Sequence, residues 1–171
     1  MNLSGTGNES DGADLYALYR EREFTDVYER YADDIYRLCF SFMKNHMDAE
    51  DAVQETFLKF YYSEKKFESE KHQKAWLIVT ASNYCKDILK QHWRKRRSIE
   101  QLPVTADVEE PLVDEMMELI LGLPDKYKLA VYLYYYEGYD SSEIAKMLKK
   151  PPSTVRTYLQ KARKLLKEQL I

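Results

Sequence analysis

Apolar residues recur along the chain at steps of three and four, and no stretch shows a convincing period of two. From Phe24 the positions Phe24, Tyr28, Tyr31, Ile35, Leu38 and Phe42 form a single stripe, which predicts a helix ending near Asn45. Asp48 then stands where it would cap a second helix, in which Ala49, Ala52, Val53, Phe57 and Phe60 share a face. After the charged connection SEKKFESEKH, a third helix is predicted from about Gln73 to Arg96, packing through Trp76, Leu77, Ala81, Tyr84 and Ile88. Three amphipathic helices are enough for one small bundle.

The periodicity stops between Ser98 and Pro111, where SIEQLPVTADVEEP combines two prolines with four acids and no base. Such a segment reads as an extended linker. Beyond it, helices are predicted at Leu112 to Leu121, Asp125 to Glu137, Ser141 to Leu148 and Ser153 to Gln169, separated by Gly122 with Pro124, by Gly138, and by Pro151 with Pro152. The expected fold is all-α: two small helical domains joined by a flexible acidic linker, the second carrying a helix-turn-helix. The predicted divisions are a partly disordered extension over 1–22, a first domain over 23–97, the linker over 98–111 and a second domain over 112–171.

Composition narrows the function classes. Two cysteines, Cys39 and Cys85, lie far apart in helical stretches, and three histidines are scattered, so neither set has metal-ligand spacing and reduced thiols are expected. The longest apolar run, Leu129 to Tyr136, is too short to cross a membrane. No signal-like segment opens the chain, which predicts a cytoplasmic protein. The formal net charge of −3 hides a sharp alternation: residues 1–64 carry −8, 65–98 carry +7, 99–145 carry −9 and 146–171 carry +7. Two basic surfaces separated by acidic ones point to a polyanion gripped at two places.

The second basic block contains SSEIAKMLKKPPSTVRTYL, Ser141 to Leu159. Ala145 provides the small residue that two steeply crossing helices need at their closest approach, with Ile144 and Leu148 completing that face. Val155, Leu159, Ala162 and Leu166 give the next helix a buried stripe, leaving Ser153, Arg156, Thr157, Gln160 and Lys164 on its other side and Lys161 and Arg163 at the margins. Donors of these types can meet base edges and phosphates in a major groove. Lys149 stands where such a turn usually has glycine; a lysine at positive φ costs about 1 kcal/mol.

In the first domain, Asp51, Gln54, Glu55 and Leu58 form a patch opposite the apolar stripe of the second helix, a plausible protein docking surface. On the third helix Asn83, Asp87, Lys90 and Arg94 fall at steps of four, three and four, beside Trp93 and the basic run Arg94 to Arg97. An amide, a carboxylate and bases on one stripe suit contact with bases and phosphates together. The clustered carboxylates Asp48, Glu50, Asp51 and Glu55 lack a convergent histidine and any nucleotide loop, so neither an enzyme, a metal nor a cofactor is predicted.

Over roughly Thr25 to Leu170 the chain resembles bacterial RNA polymerase sigma factors of the extracytoplasmic-function (ECF) group, in four blocks that follow the family's order: DAEDAVQETF, AWLIVTASNYCKD, LPDKYKLAVYLYYYEGYDSSEIAKML and STVRTYLQKARKLL. The resemblance implies an N-terminal domain that binds the β′ clamp helices of core RNA polymerase and melts the minus-ten element, and a C-terminal domain that binds the β flap and reads the minus-thirty-five element. By position, Asp51, Gln54 and Glu55, with Leu58 beside them, correspond to the polymerase-binding block. Asn83 and Asp87 correspond to the minus-ten helix, whose stripe Lys90 and Arg94 extend, and the loop Phe67 to Gln73 would capture an unstacked base. Ser153, Thr154, Arg156, Thr157, Gln160, Lys161 and Lys164 would meet the minus-thirty-five element. The family often has an aromatic residue at the position of Gln73 and an arginine at that of Ser82. Core polymerase, promoter DNA and an anti-sigma factor are the implied partners. A helix-turn-helix regulator acting without polymerase is the alternative; it leaves the DAEDAVQE patch and the first basic helix without a role.

Overall fold

The computed structural model describes residues 9–96 and 115–170, so the acidic linker and the first eight residues lie outside it. Among the described residues there are seven helices and no strand: α1 Glu9–Met43, α2 His46–Tyr62, α3 Glu70–Arg96, α4 Glu115–Leu121, α5 Asp125–Tyr135, α6 Ser141–Leu148 and α7 Pro152–Leu170. Most of the predicted apolar stripes pack, although Tyr28 is 43% exposed and Phe24, Trp76, Tyr84 and Ile88 are only partly buried. Ile35, Leu38, Ala49, Ala52, Phe57, Leu77, Ile78 and Ala81 are buried where α1, α2 and α3 meet, and Leu129, Leu133, Ile144, Val155 and Ala162 are buried among α5, α6 and α7. Phe57 sits edge-on to Tyr28 at 4.8 Å and to Phe24 at 6.3 Å, locking α2 to α1 through aromatic contacts.

Several boundaries differ from the sequence pattern, each for a local reason. α1 starts at Glu9 rather than Phe24, so residues 9–22, read as part of a loose extension, are helical. Leu15, Tyr16, Leu18 and Tyr19 remain exposed there, which is why no buried stripe marked this segment. The N-cap of α2 is Asn45 and not Asp48: extended backbone at Asn45 lets its Oδ1 accept from the Asp48 N–H at 2.8 Å, while its Nδ2 donates to Asp48 Oδ2 at 2.6 Å. α3 starts at Glu70, where the Ser69 hydroxyl oxygen accepts from the His72 N–H at 3.1 Å, so the last part of the loop Phe67 to Gln73 is the first turn of a helix. α5 stops at Tyr135, and Gly138 at φ 70° closes the turn as Tyr139 N–H reaches Leu133 O.

Helices α1 and α2 borrow cations from elsewhere for their C-terminal carbonyls. Arg20 of α1 donates to Tyr61 O at 2.6 Å and to Ser63 O at the end of α2. The last turn of α1 holds no basic residue of its own, and Lys128 of α5 donates to Ser41 O there at 2.6 Å. That second contact joins the two halves of the molecule, and the buried apolar residues of both halves form one contiguous cluster. Both cysteines are free and buried; a hydrogen bond with Cys85 and then burial raise the Cys39 thiol far above its ordinary value.

Candidate interaction and nucleic-acid surfaces

On α2, alternation between a buried and a solvent side follows from helical geometry: Ala52, Val53 and Phe57 turn inward, so Asp51, Gln54 and Leu58 turn outward, with Glu55 half-buried beside them. The four predicted patch residues therefore do share one surface. Three of them, Asp51, Gln54 and Leu58, border a groove of about 580 Å³ between α1 and α2, together with Asp33 and Glu50 and floored by Phe24, Tyr28, Tyr36 and Phe57; Glu55 lies outside it. The patch carries a field: burial and then the Glu55 and Asp51 charges push the Tyr84 phenol above its ordinary value. An acidic rim on an apolar floor suits a basic, amphipathic partner helix.

On α3, the residues Leu77, Ile78, Ala81 and Cys85 face the core, which leaves Asn83, Asp87, Lys90 and Arg94 exposed as the spacing predicted. Ser82, at the position where the resemblance has arginine, is fully buried and donates to Val79 O at 3.0 Å, so it serves packing. The segment before α3 turns its aromatic inward: Phe67 stacks with Phe60 at 6.1 Å and meets Trp76 at 5.8 Å.

The helix-turn-helix is present in α6 and α7. Asp140 and Glu143 form a reciprocal capping box at the start of α6, each side chain bonding the other's backbone N–H at 2.8 and 2.9 Å. Lys149 adopts the left-handed conformation, φ 52° and ψ 46°, and the turn closes with Lys150 N–H on Ala145 O at 3.0 Å. Pro152 occupies the first helical position of α7, where its missing N–H costs nothing. Val155, Leu159, Ala162 and Leu166 are buried, whereas Ser153, Arg156, Thr157, Gln160, Lys161 and Lys164 are exposed and Thr154 is half-buried. Thr157 spends its hydroxyl proton on Ser153 O at 2.9 Å. Arg163 donates from Nε to the Tyr135 hydroxyl at 3.2 Å, so this marginal cation is used to brace α7 against α5.

Parts of the two basic regions, distant in sequence, are brought to one place. A cleft of about 1220 Å³ is bounded by Asn83, Lys86, Lys90 and Arg94 on one side and by Lys149 and Lys150 on the other. Lys86, three residues after Asn83 and four before Lys90, was not among the predicted residues; it is half-buried where its stripe neighbours are exposed. Burial and then the Lys150 charge push its ammonium below the ordinary lysine value, with the Asp125 carboxylate acting the other way. The volume of the cleft lies somewhat above the range of ordinary small-molecule pockets, about 300 to 1,000 Å³. Among the described residues no group of three or more His, Cys, Asp or Glu side chains could hold a metal ion, and no helix is long and apolar enough to cross a membrane.

Two family descriptions match in chain order: sigma-70 region 2 over residues 27–97 and sigma-70 region 4 over residues 114–166. The RNA polymerase sigma factor SigV of Bacillus subtilis is 32% identical over 142 residues, covering 80% of this chain and 84% of that protein. The ECF RNA polymerase sigma factor SigW of the same organism is 28% identical over 165 residues, covering 86% of this chain and 88% of that protein. In structure the chain is similar to the sigma factor RpoE solved with the anti-sigma factor NepR from Bartonella quintana, with a TM-score of 0.69 at 21% identity, covering 87% of this chain and 97% of that one.

Proposed function

The chain belongs to the sigma-70 family as an ECF RNA polymerase sigma factor, a subunit that binds core polymerase and directs promoter-specific initiation, and from this premise we propose how its own residues divide that work. Residues 23–97 form the part that engages polymerase and the minus-ten element, and residues 112–171 the part that reads the minus-thirty-five element. Asp51, Gln54, Glu55 and Leu58 dock on the β′ clamp helices. Asn83, Asp87, Lys90 and Arg94 face minus-ten DNA, and the exposed side of α7, from Ser153 and Thr154 through Arg156, Thr157, Gln160 and Lys161 to Lys164, enters the major groove. The protein works in the cytoplasm, carries no catalytic chemistry of its own, and is held in check by an anti-sigma factor.

The observation that carries this reading is the pairing of two exposed surfaces of different character on one chain: an acidic rim over an apolar groove on α2, and the polar, basic side of a helix-turn-helix on α7. A regulator acting without polymerase needs the second and has no use for the first. The test is Asp51→Arg combined with Gln54→Ala. Both positions are exposed, so the variant should keep its fold and lose core polymerase in co-purification. Full retention of polymerase by the folded variant would remove α2 from the interface.

A further inference from the structure

The first turns of α1 project beyond the end of α2 as a helical stub. Arg20, bonded to Tyr61 O and Ser63 O, fixes α1 there, and the residues from Glu9 to Tyr19 run on for about 16 Å. Arg20 and Phe24, both partly buried, and Val27, buried, mark the side of the helix that turns toward the bundle. Asp11, Leu15, Leu18 and Arg22 stand about half a turn round from that side, at steps of four, three and four, with Tyr19 beside them. All five are exposed, and Leu15, Tyr16, Leu18 and Tyr19 keep 63% to 68% of their surface open. Four large apolar side chains open on one short helix amount to a contact surface rather than scattered exposure.

We propose that this stub is the interface of an antiparallel dimer, in which it packs on the same stub of a second copy of the chain. The charges at the two ends of the stripe select that occupant. A two-fold axis passing between Tyr16 and Ala17 sets Leu15 of each copy against Leu18 of the other, and at both ends Asp11 of one copy meets Arg22 of the other. Parallel pairing would set Asp11 against Asp11 and Arg22 against Arg22, so the stripe complements itself in one direction only. A wholly basic or wholly acidic partner would match one end and be repelled at the other. The helix is already formed and its root is pinned by Arg20, so little order has to be gained on pairing. Area limits the strength. The four apolar side chains leave about 500 Å² open per copy, so a pair covers about 1,000 Å², the low end of specific interfaces. Asp14 and Glu21 flank the stripe and bring like charges near each other across the pair. The dimer is therefore weak and reversible, with a dissociation constant on the order of 10 to 100 µM.

Sedimentation velocity on the full chain tests the dimer, from well below to well above that constant, with circular dichroism as the check on fold. Wild type should pass from monomer to dimer as concentration rises, and Leu18→Glu, at an exposed position, should stay monomeric throughout. Asp11→Arg and Arg22→Asp each turn both end contacts from attractive to repulsive, and each should weaken the dimer about tenfold. Mixed in equal amounts, the two variants should associate again, because every end then pairs an arginine with an aspartate. A wild type that is monomeric at every concentration, a folded Leu18→Glu chain that dimerises like wild type, or a mixture no tighter than either variant alone would overturn the pairing. The dimer does not depend on the sigma-factor reading, which core-dependent transcription by the wild-type chain tests separately.

Discussion

Replacing Lys149 with glycine should stabilise the helix-turn-helix, although it removes a side chain. Lys149 sits at φ 52° and ψ 46°, the left-handed well, where a Cβ crowds the following carbonyl at roughly 1 to 2 kcal/mol. Glycine avoids that crowding but gains freedom in the unfolded chain, which returns about 0.4 to 1 kcal/mol. The turn's bonds run through the backbone, Lys149 N–H to Lys146 O and Lys150 N–H to Ala145 O, so they survive the change. The net gain is about 0.5 to 1 kcal/mol, which in a chain of this size moves Tm by about 1 to 4 °C. Thermal unfolding followed by far-ultraviolet circular dichroism reads it directly. Lys149→Ala is the control that separates strain from charge, because it loses the same ammonium and keeps the Cβ; its stability should stay within about 0.5 kcal/mol of wild type. Gly138→Ala, at φ 70° with no atom within 4 Å of the added Cβ, should cost about 1 kcal/mol through the backbone alone. If Lys149→Gly is no more stable than Lys149→Ala, left-handed strain at this turn is not what the structure implies.

Arg156→Ala and Gln160→Ala should each relax sequence discrimination in minus-thirty-five binding by about 1 to 3 kcal/mol, since both stand exposed in the first half of α7. Lys164→Ala, further along the same side, should weaken all sequences alike and reduce the salt slope by about one unit; discrimination that survives in the first two variants would move the reading surface elsewhere. Acid should loosen the contact between the halves through Asp34. Burial alone would raise this carboxyl, but hydrogen bonds and charge from Lys74 and Arg37 outweigh burial and hold it below its ordinary value of 3.8. A depressed carboxyl contributes stability that is present above the ordinary value and lost as the pH falls through the lowered one. Denaturant titrations of wild type and Asp34→Asn should therefore differ near neutrality and converge at the acid end, and a difference that persists unchanged there would exclude this carboxylate as the source.

The helices of this protein were written in its sequence because a helix that buries one side must repeat its apolar residues every three or four positions. Val155, Leu159, Ala162 and Leu166 announced the inner side of α7, and the outer side followed from them by geometry alone. The α2 patch and the α3 stripe were legible for the same reason, and so was the unusual turn at Lys149, since a local chain reversal has local requirements. Helix ends were less so: Asn45 and Asp48 are both good caps, and only the backbone conformation at Asn45 decides between them. The start of α1 at Glu9 left no periodic mark because nothing packs on Leu15 or Tyr19. What tertiary structure alone decided is the relation between the halves. A lysine at position 128 reads as surface, since burying an ammonium is unfavourable almost everywhere, and its place in the interior depends on one carbonyl at Ser41, distant in the chain and brought near only by folding. Periodicity encodes which side of a helix turns inward; it carries no information about which other helix's loose end that side will meet.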